Sequence, residues 1–121
     1  MYSDAQTVKE YTNVGPEDFG FATLDELDAW IEARLTEIKS LIDADRNQDF
    51  SDPGPAPEGI NRIALEMAGN LITLVQSRRT TPVVQVDDYR VMVNDGKVFT
   101  DNIKEALRRW PKETNIRLMR V

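Results

Sequence analysis

Apolar residues recur at steps of three and four in two long stretches of the chain. Leu24, Leu27, Ile31, Leu35, Ile38 and Ile42 form the first set, widened by Trp30 and Leu41. This spacing puts one face of a helix against a core over about five turns. Thr23 followed by Glu26 forms a capping box at its start, and Asp25, Glu26 and Asp28 suit the positive end of the helix dipole. The second set is Ile60, Ile63, Ala64, Met67, Leu71, Leu74 and Val75, with Pro57 suited to the first turn. Gly69 inside that helix is expected to admit another helix at close range.

Beyond Thr80, Thr81 and Pro82 the period drops to two. Val84 and Val86, then Tyr89, Val91 and Val93, suit strands turning at Asp87 and Asp88. Asn94-Asp95-Gly96 predicts a second tight turn before Lys97-Val98-Phe99, giving a short β-hairpin over about residues 83–99. So small a sheet needs a helix or another chain to cover it, and its free edge is open to strand addition. A shorter helix follows from Thr100 or Asp101, presenting Ile103, Ala106, Leu107 and Trp110 and stopping at Pro111. Residues 1–22 lack periodicity and read as an extended arm with at most a turn of helix over 5–11. Its Tyr2, Tyr11, Phe19 and Phe21 would anchor a partner or fold back onto the core. Residues 113–121 read as a cationic tail with Ile116, Leu118 and Val121 on one side, either docking elsewhere or returning as a strand.

The expected fold is therefore mainly α. It is a small helical bundle of two long helices and a shorter C-terminal one, with a β-hairpin and an extended N-terminal arm. At 121 residues it has the length of one domain, here placed over 23–112. A composition of 40% apolar and 30% charged residues fits a globular chain. No apolar run approaches the roughly 18 residues of a membrane span, and the start MYSDAQTVKEY has no signal-peptide core. The expected setting is a cytoplasm, or an assembly built in one.

Chemistry narrows the reading further. The chain has no Cys and no His, which removes thiolate and imidazole catalysis and the common zinc sites. The serines have no imidazole partner, no phosphate-binding glycine motif occurs, and the carboxylates lie where caps and turns explain them. No enzyme activity and no cofactor are expected. Asp43, Asp45, Asn47, Asp49 and Ser51 stand at alternate positions, like the ligands of a calcium loop. The match is incomplete, because Gln48 replaces the turn glycine and Gly54 the closing Glu, and a solvated acidic helix end explains the same residues.

Charge is split along the chain. Residues 1–60 hold 14 acids and 4 bases, whereas 61–121 hold 7 acids and 11 bases. The split suits head-to-tail self-association, or leaves two solvated faces that differ. Arg78 and Arg79 close the second helix at its negative end, either as dipole partners or as contacts to an acidic neighbour or to DNA.

The order of parts is informative as a whole. A polar start leads to a long acidic helix ending in LIDADRNQDF, and then to a Pro-Glu-led helix rich in Ala, Met and Leu. Arg residues, the VDDYRVMV hairpin, a helix closed by Trp-Pro and a tail complete the chain. This order resembles the head-tail connector, or adaptor, proteins of long-tailed phages and related archaeal tailed viruses, over about residues 20–112. The resemblance implies a structural virion protein at the head-tail junction, in a closed ring of about twelve copies beneath the portal. Such a ring extends the DNA channel without reading DNA sequence and docks the next neck or tail protein. It implies portal docking by Trp110, Ile116, Arg117, Leu118, Met119 and Val121. It also implies a subunit or next-ring interface at Tyr89, Val91, Met92, Val93, Arg78 and Arg79. The alternatives are a cytoplasmic dimeric regulator of antitoxin type and a strand-richer stopper or tail-completion protein.

Overall fold

The computed structural model describes residues 2–52, 54–78, 93 and 95–110. Four α-helices and one 3-10 turn carry the core: α1 (Ala5–Thr12), the turn Pro16–Phe19, α2 (Leu24–Arg46), α3 (Glu58–Arg78) and α4 (Asp101–Leu107). The mainly helical bundle expected from the periodicity is observed.

Helix α2 starts where its cap predicts. The Thr23 hydroxyl accepts from the Glu26 N–H at 3.2 Å. Leu27, Ile31, Leu35, Ile38 and Ile42 are all buried, as a period of 3.6 requires. Each such side chain contributes about 1.5–3 kcal/mol when fully withdrawn from water. Leu24, the first helical residue, overhangs the end of the stripe and stays 51% exposed. The helix stops at Asn47, whose left-handed φ of 53° lets its N–H return to the Asp43 carbonyl. In α3, Ile60, Ile63, Ala64, Met67, Leu71, Leu74 and Val75 are buried, joined by Ala68 and Ile72. The Pro57 carbonyl accepts from the Ile60 and Asn61 N–H groups at 3.0 and 3.2 Å and so begins that helix.

Residues 2–22 differ from the expected extended arm. Tyr2, Ala5, Val8 and Phe19 belong to the same buried core as α2 and α3. The Asp4 carboxylate caps α1 by accepting from Thr7 N–H, and Asn13, at φ 56°, closes it onto the Lys9 carbonyl. Lys9 Nζ reaches Asp28 of α2 at 2.7 Å. An eight-residue helix is marginal alone, so tertiary packing holds α1 in place. Phe19 is set against Trp30 and Phe21 with ring centroids 5.3 and 6.0 Å apart.

Gly69 admits a neighbour, as its position predicts, and that neighbour is α1. A Cβ built at Gly69 would lie 2.8 Å from Tyr11 Cε2 and 3.9 Å from Thr12 Cγ2. Tyr11 thus lies along α3 while remaining 58% exposed.

The expected strand at Lys97-Val98-Phe99 is instead a turn. The Asp95 carbonyl accepts from both Val98 and Phe99 N–H, and its carboxylate accepts from Lys97 N–H. Val98 and Phe99 are consecutive and both buried, which a strand cannot arrange on a single core face. No residue among those described is in a β-strand, and residues 83–92 and 94 of the expected hairpin lie outside the described residues. Thr100 then caps α4 by accepting from Ile103 N–H at 3.2 Å, and Ile103 and Leu107 complete the core.

Candidate interaction surfaces

The carboxylates at the acidic end of α2 are turned to nearby cations and to the chain itself. Asp43 Oδ2 accepts from Lys39 Nζ at 2.6 Å, and Asp49 Oδ1 accepts from the same ammonium at 3.1 Å. Asp45 pairs with Arg46 at 2.9 Å, and Asn47 is consumed as the helix cap. Asp49 also accepts from the Ser51 N–H at 2.8 Å. Among the described residues no three carboxylates converge on a common point. The residues at calcium-like spacing, Asp43, Asp45, Asn47 and Asp49, are each engaged in these other contacts. The first two still ride on a helix, whose turn of about 100° per residue separates alternate positions.

What the structure assembles there is a clamp. The Tyr2 hydroxyl donates to Asp43 Oδ1 and accepts from the Phe50 N–H at 3.0 Å. Lys39 Nζ lies 5.1 Å from the centre of the Tyr2 ring. Burial, followed by the hydrogen bond to Asp43, pushes the Tyr2 phenol well above the ordinary tyrosine range. For Lys39 burial pulls downward, but hydrogen bonds to Asp43 and Asp49 outweigh it and hold the ammonium above its usual range. Both shifts hold the protonated forms of Tyr2 and Lys39 that make these hydrogen bonds.

Trp110 stands at the far side of this cluster. Its ring meets Phe50 edge-on at 6.2 Å, and Phe50 meets Tyr2 edge-on at 6.4 Å. Below the indole is the first turn of α3, where a Cβ at Gly59 would lie 2.6 Å from Trp110 Cη2. Arg46 Nη1 donates to the Trp110 carbonyl at 3.4 Å, and the Arg109 guanidinium lies 5.4 Å from its ring centre. Trp110 is thus packed on its own subunit.

The other residues assigned to docking are placed less fully. Val93 is partly buried against the core, and Arg78 ends α3 with its side chain outside the described residues. Tyr89, Val91, Met92, Arg79, Ile116, Arg117, Leu118, Met119 and Val121 also lie outside the described residues. Lys39, Phe50 and Gly59 were missed as organising residues. The Lys39–Asp43 spacing of four was a usable signal, but nothing local marks Gly59 as the seat of a ring from the far end of the chain.

The charge split becomes sharper in three dimensions. All four bases of residues 2–60 are engaged internally: Lys9 with Asp28, Arg34 with Glu37, Lys39 with Asp43 and Asp49, and Arg46 with Asp45. Asp25, Glu26, Glu32 and Asp52 are exposed, with no cationic partner among the described residues. Arg108 pairs with Glu105 at 2.7 Å, while Lys97, Lys104 and Arg109 are exposed on and beside α4 with no carboxylate partner among the described residues. Among the described residues no helix is long and apolar enough to cross a membrane. No protein-family model, curated protein or solved structure matches this chain.

Proposed function

We propose that this chain is a structural subunit of a tailed-virus neck, a head-tail connector whose copies associate head to tail. The observation that carries the reading is the segregation of charge on the folded subunit. The α2 side keeps unpartnered carboxylates because its cations are spent on internal pairs, while Lys97, Lys104 and Arg109 on and beside α4 stay exposed and unpaired with carboxylates among the described residues, next to the Arg108–Glu105 pair and exposed Asp101. Two different complementary patches on one subunit favour a heterologous contact, and such a contact makes a ring when its rotation closes, with about twelve copies being what the resemblance to connector proteins implies. The order of helical elements adds support, because it is the order on which the resemblance to connector proteins rests. Portal docking by Ile116, Arg117, Leu118, Met119 and Val121, with Trp110 packed on its own subunit, and a channel passing DNA without sequence-specific contacts belong to the same proposal.

Light scattering over a wide range of concentration, with electron microscopy of the largest species, tests it. Open-centred rings at low salt that dissociate as salt rises are expected, because exposed charge pairs are screened beyond about 10 Å at 0.1 M ionic strength. A strict dimer at every concentration would favour the regulator instead.

A further inference from the structure

Phe50 joins two parts of the molecule that come from opposite ends of the described chain. On one side it holds Tyr2, edge to face, and donates its N–H to the Tyr2 hydroxyl at 3.0 Å. On the other it holds Trp110, again edge to face, with an interplanar angle of 75°. Phe50 itself lies in a turn just past the end of α2, where no helix fixes its position. Its placement therefore depends on what it touches. Tyr2 is in turn anchored, 3% exposed, with its hydroxyl on Asp43 and its ring beneath the Lys39 ammonium.

We infer that Tyr2 and Phe50 form an aromatic latch that seats Trp110, so that the residues ahead of α1 fix the point at which the chain leaves α4. The latch works by support from one side. Gly59 forms the floor of the seat and Arg46 holds the Trp110 carbonyl, while the Phe50 edge closes the remaining side. Without the Tyr2 ring and hydroxyl, Phe50 loses both a ring contact and an acceptor for its N–H, and the wall it presents to Trp110 loosens. Tyr2 is thus a positioning residue acting through Phe50. The inference concerns the single subunit and holds whether or not copies assemble.

The test is fluorine NMR of the full chain labelled with fluorotryptophan, whose two tryptophans give two resonances. Trp30→Phe and Trp110→Phe assign them. Tyr2→Ala and Phe50→Leu are expected to move the Trp110 resonance and increase its exposure to solvent, while the Trp30 resonance stays in place. Gly59→Ala serves as the reference displacement, because its new methyl group occupies the seat while Tyr2 remains. A Trp110 resonance unmoved by Tyr2→Ala, with Trp30 still at its native position, overturns the latch whatever Gly59→Ala does. Should Tyr2→Ala unfold the chain and move both resonances together, Tyr2→Leu decides by the same criterion. It removes both the ring and the hydroxyl that hold Phe50 while keeping an apolar side chain in the core, so a shift of Trp110 alone supports the latch and no shift overturns it.

Discussion

At Lys39 two carboxylates, Asp43 and Asp49, share one ammonium, and the Tyr2 hydroxyl joins the cluster through Asp43. Asp49 is exposed, and hydrogen bonds from the Ser51 hydroxyl and N–H, then from Lys39, lower its carboxyl from 3.8 to about 2. Because the folded value lies below the unfolded one, the associated stabilisation is present above 3.8 and is lost as pH falls toward 2. Denaturant unfolding across that range should show a decline that Asp49→Asn removes, small in size because solvent screens the pair. Tyr2 behaves in the opposite sense. Its value is raised, so its contribution is intact below 10.0 and disappears as pH climbs above it. In a tyrosinate absorbance titration, Tyr2→Phe should therefore delete the highest-pH part of the rise. The same substitution leaves the part-buried Phe50 N–H without its acceptor, and a loss of about 1–3 kcal/mol in unfolding free energy is expected.

Among the elements, what could be read from the sequence depended on length. Helices α2 and α3 repeat their apolar period often enough that the pattern alone locates them, and Thr23 and Thr100 mark two starts. Helix α1 offers only Ala5 and Val8 as buried positions, too few to define a period, and its stability comes from contacts distant in sequence. Deleting residues 1–22 should accordingly remove cooperative unfolding followed by circular dichroism, whereas an extended arm could be removed without loss. The turn over 95–99 is masked in the sequence because Asn-Asp-Gly with flanking apolar residues signals a hairpin. The two bonds to the Asp95 carbonyl, invisible in a local pattern, decide for a turn. The clamp at Lys39 was only partly legible, since Asp43 and Lys39 are neighbours on one helix but Tyr2 arrives from elsewhere. Gly69 gives a sharper test of α1 packing. Gly69→Ala should gain up to about 1 kcal/mol of helix propensity in a Tyr11→Ala background and clearly less when the Tyr11 ring is present, measured by thermal unfolding.

Across the whole molecule, the internal pairing of Lys9, Arg34, Lys39 and Arg46 leaves the surface of the first half with an acidity that its base count understates. Glu32→Lys should weaken any head-to-tail association and flatten its salt dependence, as read from the scattering mass at low and high salt. Sequence showed the imbalance of charge, and the fold showed which carboxylates remain unpaired. Helix α3 also carries two seats, Gly59 for Trp110 and Gly69 for Tyr11. It therefore acts as a ruler: ten residues of helix set the two rings about 15 Å apart along its axis. It is a protractor as well, because one residue inserted between the seats would turn one by about 100° relative to the other. The places where the chain comes in along α1 and goes out past α4 are thus indexed to a single rigid rod, and a change in that rod's length would be felt at both.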